Sequence, residues 1–490
     1  MIGNAQQKFP WNNSMAKSFY ITTTIPYVND KPHIGFALEI IQADALARYK
    51  RLMGHDVFFS TGTDEHGLKI YQKAQEEGRD PQEYVDHFAE TFKELKGTLN
   101  ISRDNFIRTT DPNHIRAAQE FWNRCSANGD IYKKNYSIKY CIGCELEKTD
   151  SELDNGRCPL HPHKEVELIE EENYFFRLSR YQKEILSYLE DESSIIPDFR
   201  REEARLFVNQ GLQDFSISRL KSKMPWGVPV PGDSDHVMYV WFDALVNYIS
   251  TLGWPSAGDE LFRKFWEEGE SVQCAGKDQV RMQSIMWQGM LLSAGVPHTT
   301  HIFYHGFINI GGQKMSKSLG NVIDPLELVA EYGVDALRYF VLRDVHPYED
   351  SDVTLERIKE SYNANLANGL GNLVARVMKL AETHLPEGTR PEPVPFYEEY
   401  TKAFERFEFN RAMDIIWNRI AALDAKITET EPFKVVKVDL KKGRALIFEL
   451  TQELYYIGRL LNPFMPYTNE IIKKAVIENK KPETIFPRKD

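Results

Sequence analysis

Ser18-Phe-Tyr-Ile-Thr-Thr-Thr-Ile25, the turn Pro26-Tyr-Val-Asn-Asp-Lys-Pro32 and the run opening at His33-Ile-Gly-Phe36 decide the fold of this chain. The first segment is aromatic and β-branched throughout, which reads as a buried strand. Beyond it Ile34, Ala37, Leu38, Ile41, Ala45 and Leu46 recur at helical spacing, with Pro32 where a helix can begin and Gly54 where one can be capped. Val57-Phe-Phe-Ser-Thr61 follows as a second strand. Strand, helix, strand is a βαβ unit and predicts an α/β fold built on a parallel sheet. Residues 238–242 and 301–310 read as later strands of the same sheet. After about residue 352 the pattern turns helical, with long amphipathic stretches over 366–380, 397–427 and 444–461.

Length and charge bound the rest. A chain of 490 residues with 42% hydrophobic and 27% charged residues can bury several cores, which excludes disorder and a small disulfide scaffold. The net charge of −12 argues against a protein that coats nucleic acid by bulk charge. That charge is uneven, however. Residues 361–490 carry 20 Lys+Arg against 18 Asp+Glu, so the whole acidic excess lies in residues 1–360. No run approaches the roughly 20 apolar residues of a membrane span, and the Asn/Gln-rich start has no secretory h-region, so a cytoplasmic protein is expected.

Cys141-Ile-Gly-Cys144 and Cys158-Pro-Leu-His161 form paired chelating turns. Thiolate and imidazole in two such turns suit one tetrahedral Zn²⁺, and four protein ligands close the site, so a structural role is expected. His163 is an alternative fourth ligand, while Cys125 and Cys274 read as core residues.

Two further segments suit a nucleotide. His33-Ile-Gly-Phe36 opens a helix directly after a strand, where free N–H groups and the positive dipole end favour a phosphate, and Gly35 allows close approach. Lys314-Met-Ser-Lys317-Ser318 follows Gly311-Gly312 and puts lysines and hydroxyls on one loop, suited to charge developing on leaving pyrophosphate. Together the two segments resemble the early His-Ile-Gly-His and late Lys-Met-Ser-Lys-Ser signatures of class I aminoacyl-tRNA synthetases. The late signature is intact; in the early one Phe36 replaces the second histidine.

Within that class the sequence is most similar to the methionyl-tRNA synthetase family. The resemblance rests on residues 24–35, Thr61-Gly-Thr-Asp-Glu-His-Gly67, Tyr239-Val-Trp-Phe-Asp-Ala244, Gly276-Lys-Asp278 and Leu460-Leu-Asn-Pro-Phe-Met-Pro-Tyr467. It implies a Rossmann-type catalytic domain with an inserted zinc-knuckle module, followed by an all-α bundle that reads the anticodon. The expected boundaries are an extension over 1–17, catalytic halves over 18–130 and 191–325, and the inserted module over 131–190. A linking stem-contact region over 326–360 and the helical domain over 361–490 complete the chain. The resemblance implies L-methionine, ATP with Mg²⁺ and tRNA(Met), initiator tRNA included, as ligands of a monomer, with His33, Lys314 and Lys317 catalytic. ATP would meet His33, Gly35, Phe36, Glu39, Lys314, Ser316, Lys317 and Ser318. Methionine would meet Ile25, Tyr27, Asp64, Trp241, Ala244, Tyr248, Asp278, Gln283 and Trp287, with Asp64 on the ammonium and Tyr248 near the sulfur. A polarizable thioether among aromatic rings is chemically apt.

Two departures keep other readings open. Gln283 stands where the family commonly has histidine and Met282 where it has an aromatic ring, which points to a synthetase with shifted amino-acid preference. Phe36 points to a non-catalytic tRNA-binding paralogue. No room exists between the two signatures for the editing domain of the leucine, isoleucine and valine relatives. In the helical region Asn372 and Arg376 lie one turn apart and suit the edges of unstacked bases, and Phe433 supplies a stacking face.

Overall fold

A computed structural model describes residues 17–28, 32–143, 146–148, 150–256, 259–315, 322–386, 389–391 and 394–490. β1 (Ser18–Thr23) is interior, with Phe19, Tyr20 and Ile21 fully buried. α1 (Ile34–Leu52) starts at an extended His33 N-cap and is apolar around most of its circumference, because it lies between the sheet and the helical region. β2 (Asp56–Thr63), α2 (Pro81–Thr98), β3 (Asn105–Arg108) and α3 (Pro112–Ala127) follow; α2 and α3 each begin at an Asp–Pro step. The sheet is completed by β4 (Ile195–Ile196), β5 (Glu270–Gly276) and β6 (His301–His305). Its order is β3-β2-β1-β5-β6-β4, with every neighbouring pair parallel. The order in which strands are added reverses between the parallel neighbours β1 and β5, so the crevice at the carboxyl ends of those strands is where a ligand of such a fold binds.

Between β3 and β4 the chain leaves the sheet as a long hairpin, Ile131–Cys141 against Val166–Phe176, with the cysteines at its far end. α4 (Val240–Leu245) returns the chain toward the crevice.

Two expected strands need correction, and one strand was not expected. Residues 238–242 are not a strand of the main sheet: Asp233–Met238 belongs to a small antiparallel sheet, and α4 begins at Val240. A short apolar run buried on all sides reads alike in either conformation. Residues 301–310 split into β6 and Ile308–Ile310, the latter in a separate three-stranded sheet. β5, at the centre of the main sheet, went unforeseen because Ser271 and Gln273 interrupt its apolar pattern. Both are fully buried and bonded to hydroxyls: Ser271 contacts the Thr300 hydroxyl at 3.2 Å, and Gln273 Oε1 accepts from that of Thr299 at 3.0 Å.

Toward the C-terminus come α5 (Val334–Tyr339), α6 (Asn372–His384), α7 (Glu398–Glu405), α8 (Phe409–Thr430), α9 (Pro432–Val438), α10 (Leu440–Leu461) and α11 (Pro466–Glu478). α6, α8, α9 and α11 all pack on α10. The expected single stretch 397–427 breaks between α7 and α8 at Phe407, whose φ is +58°. A bulky residue there is strained, and its ring stacks on Phe303 of β6 at 4.9 Å. Tyr49 of α1 stacks on Phe404 at 4.0 Å, so one continuous core joins the sheet to the helices. Among the described residues, no helix is long and apolar enough to cross a membrane.

Candidate active site

The early and late sequence signatures meet at the crevice. His33 caps α1, its Nδ1 accepting the Gly35 N–H at 3.1 Å, and the Ile34 N–H donates to the Ile323 carbonyl at 3.2 Å. A Cβ on Gly35 would lie 3.0 Å from the His33 ring and 3.5 Å from Met315 Cε, so residue 35 must be small for this approach. Lys314 closes a short antiparallel pair with Asn309. Its side chain, and Ser316, Lys317 and Ser318, lie outside the described residues. The Phe36 ring meets Phe92 of α2 edge-on at 5.3 Å and is 9% exposed. An aromatic ring at this register gains more from that apolar contact than from the polar crevice.

Glu39, one turn further along α1, is buried and already engaged. It accepts the Thr24 N–H at 2.7 Å and contacts His305 Nε2 at 3.0 Å. The other ring nitrogen of His305, Nδ1, lies 2.7 Å from the Gly306 carbonyl. With Glu39 ionised both partners are acceptors, an arrangement that favours the doubly protonated ring. Burial works against that charge, but the Glu39 carboxylate and the Gly306 carbonyl outweigh it and raise the His305 pKa. This ion pair ties α1 to the strand that leads into the late signature.

Beside the α1 terminus lies a cavity of about 220 Å³ lined by Ile25, Tyr27, Asp64, Trp241, Ala244, Tyr248 and Gln283. Thr24, Pro26, Leu245, Asn247 and Gln279 complete the wall. Sequence reasoning missed Asn247, although its place one turn after Ala244 on the same apolar segment would have found it. The Asp64 N–H donates to the Pro26 carbonyl at 2.9 Å, and the Val28 N–H donates to the Asp64 carbonyl at 3.2 Å, which zips the two loops together. Gln283 donates from Nε2 to the Tyr248 hydroxyl at 2.7 Å, leaving that hydroxyl its own proton to give. Burial pushes the Tyr248 phenol well above its ordinary range, so it stays protonated. Neither Trp287 nor Asp278 lines the cavity. Trp287 is fully buried behind Tyr248, ring to ring at 5.9 Å. Asp278 follows β5 beside Gly276, where its Oδ1 is 2.8 Å from the place a Cβ would take.

A sequence profile of the family "tRNA synthetases class I (M)" matches residues 19–167 and 144–378. The chain belongs to that family. A methionine–tRNA ligase of Caldanaerobacter subterraneus subsp. tengcongensis is 42% identical over 93% of this chain and 73% of its own length. That of Thermotoga maritima is 40% identical over 95% of this chain and 76% of its own. Among solved structures, Mycobacterium tuberculosis methionyl-tRNA synthetase in complex with methionyl-adenylate superposes with a TM-score of 0.86. It is 36% identical and covers 97% of this chain and 99% of its own.

In this synthetase the donor atoms of Cys141, Cys158 and His161 lie within 4.8 Å of one another. Cys144 lies outside the described residues. His161, not His163, faces the cysteines: its Nδ1 is 3.8 Å from the Cys141 sulfur and 4.0 Å from that of Cys158. A Cβ on Gly143 would sit 2.4 Å from the His161 ring, so the turn is shaped around that imidazole. Two soft thiolates and one imidazole in a tight turn fit Zn²⁺. In the helices Asn372 is exposed at the start of α6, and Arg376 pairs with Asp424 of α8. Phe433, on α9, is 40% exposed.

Proposed function

We propose that this synthetase activates L-methionine with ATP and esterifies it to tRNA(Met), the initiator species included. The observation that carries the reading is the cavity of Ile25, Tyr27, Asp64, Trp241, Ala244, Tyr248 and Gln283 opening beside the helix terminus where Gly35 meets Met315. Asp64 receives the substrate ammonium, and Tyr248 directs its hydroxyl proton toward the thioether. The substrate carboxylate attacks the α-phosphorus; a P–O bond forms as the bond to the β-phosphate breaks, and pyrophosphate leaves with that electron pair. A ribose hydroxyl at the tRNA 3′ end then attacks the acyl carbon and releases AMP. No side chain becomes covalently attached, so the protein contributes position and charge.

His33, with Lys314 and Lys317, stabilises charge on the phosphates, and Gly35, Glu39, Ser316 and Ser318 shape the nucleotide site. Asp278 and Trp287 complete the amino-acid site, Trp287 from behind Tyr248. Mg²⁺ accompanying ATP offsets phosphate charge. Cys141, Cys144, Cys158 and His161 hold one structural Zn²⁺, and Asn372, Arg376 and Phe433 read anticodon bases from the helical domain over 361–490. The enzyme works as a cytoplasmic monomer.

Amino-acid-dependent ATP–pyrophosphate exchange across an amino-acid panel tests the reading. Exchange with methionine alone is expected, followed by charging of tRNA(Met). Preference for another amino acid would establish the shifted specificity that Gln283 and Met282 suggest. No exchange with retained tRNA binding would overturn the enzyme assignment.

A further inference from the structure

Directly after Asp64, the chain enters a buried polar network that no part of the reaction uses. His66 Nδ1 lies 2.7 Å from Asp243 Oδ2, and His114 Nε2 lies 2.8 Å from Asp243 Oδ1. On its other side His114 Nδ1 contacts the Ser250 hydroxyl at 2.9 Å. His66 is 5% exposed, and His114 and Asp243 are fully buried. The Trp226 ring flanks His66 at 5.7 Å.

The network spans four elements. His66 belongs to the loop that carries Asp64, and His114 comes from α3. Asp243 lies on α4 between Trp241 and Ala244, and Ser250 ends the short helix Asn247–Ser250 that carries Tyr248. One carboxylate therefore joins the polar wall of the cavity to its aromatic wall. Both its oxygens are engaged by imidazoles, and in so dry a place neither bond can be replaced by water without cost. Burial raises the Asp243 carboxyl, but the two histidines outweigh it and hold it down at about 2, so the carboxylate stays ionised throughout the physiological range.

We infer that His66 and His114 are positioning residues which, through Asp243, fix the separation of Asp64 from the Trp241–Tyr248 wall and thereby set the affinity for the amino-acid substrate. Neither touches the substrate. The inference rests on the reading that Asp64 receives the substrate ammonium. A displacement of order 1 Å between two groups that must grip one small ligand is enough to weaken binding severely. The nucleotide side, anchored by α1 and β6, shares none of these bonds.

The test is ATP–pyrophosphate exchange with the full chain, reading the KM for methionine, the KM for ATP and kcat separately. His66→Ala is expected to raise the methionine KM about ten- to a hundredfold, as for loss of a charge-assisted hydrogen bond, with the ATP KM and kcat within about twofold. His66→Asn keeps a donor near the Nδ1 position and is expected to recover most of the effect, whereas His66→Gln, which moves the donor outward, is not. His114→Gln, with its donor near Nε2, should likewise outperform His114→Ala. Should the alanine variants not fold, the ranking of His66→Asn above His66→Gln decides between the same two outcomes. An unchanged methionine KM in His66→Ala, or equal losses in Asn and Gln, would overturn the inference. Asp64→Asn separates the two failures: if it too leaves the methionine KM unchanged, the ammonium placement falls and the inference with it. If Asp64→Asn raises that KM while the His66 and His114 variants do not, only the positioning role falls.

Discussion

Arg338 is the perturbation with the widest reach. Its side chain is fully buried at the junction of the sheet and the helices. Nη2 lies 2.7 Å from Asp44 Oδ2 on α1 and donates to the Pro463 carbonyl at 3.0 Å; Nε donates to the Phe464 carbonyl at 2.7 Å and Nη1 to that of Leu99 at 3.3 Å. Replacing it by Met keeps the volume and removes every donor. Breaking one side of a buried pair costs about 3–5 kcal/mol, and Asp44 sits at the lower end because Arg48, at 2.7 Å, and Ser102 still hold it. The abandoned carbonyls add about 1 kcal/mol or more between them, so Arg338→Met should lose about 4–6 kcal/mol. Arg338→Lys keeps the charge but cannot reproduce the fork, and should lose roughly half as much. Urea unfolding followed by tryptophan fluorescence, with refolding checked, measures both. Because Arg338 bridges α1 to the Leu460–Tyr467 segment, the unfolding transition of Arg338→Met should also broaden or split. A loss below about 1 kcal/mol, or a lysine variant no better than methionine, would refute the reasoning.

Other perturbations have definite signs. Asp243 is held at about 2, below its ordinary 3.8, so it contributes about 2 kcal/mol that is present above roughly pH 4 and lost as pH falls through the folded value. Asp243→Asn should flatten that part of the acid limb of urea stability against pH, and an unaltered slope would contradict it. His305 is raised above 6.5, so its contribution is complete below that pH and declines as pH rises through the folded value. His305→Gln should abolish that decline in unfolding free energy; the same decline in the variant would show another group responsible. Cys158→Ser should take zinc, measured by atomic absorption, from about one per chain to near zero while Cys125→Ser leaves it unchanged; equal metal in both would dismiss the Cys141–His161 site.

What the sequence disclosed and what it withheld follow from the range of each interaction. The first βαβ unit was legible because its cues are local: β-branched residues over 18–25, a helical period from Ile34 and a glycine beyond it. The cavity was legible for another reason, since Ile25, Tyr27, Asp64, Trp241, Ala244, Tyr248 and Gln283 lie in segments whose resemblance to a family carried their positions with them. β5 was hidden because Ser271 and Gln273 interrupt its apolar pattern and bond to Thr300 and Thr299, partners that only tertiary contact supplies. The break at Phe407 was hidden in the same way: nothing near it in the chain calls for a left-handed phenylalanine, and the reason is Phe303, brought there by the sheet. Phe36 has a packing partner that the sequence did not show. The family signature places it against a nucleotide, but its ring has no polar atom to offer one, and Phe92 of α2 gives it an apolar partner that position alone could not reveal. His66, His114 and Asp243 went unread as a group because each is commonplace alone, and 129 residues of chain separate His114 from Asp243. Long-range contact, polar in β5 and the His66–Asp243–His114 group and aromatic at Phe36 and Phe407, is the common factor in these omissions. It is also the means by which this fold holds the two walls of its cavity at a fixed distance.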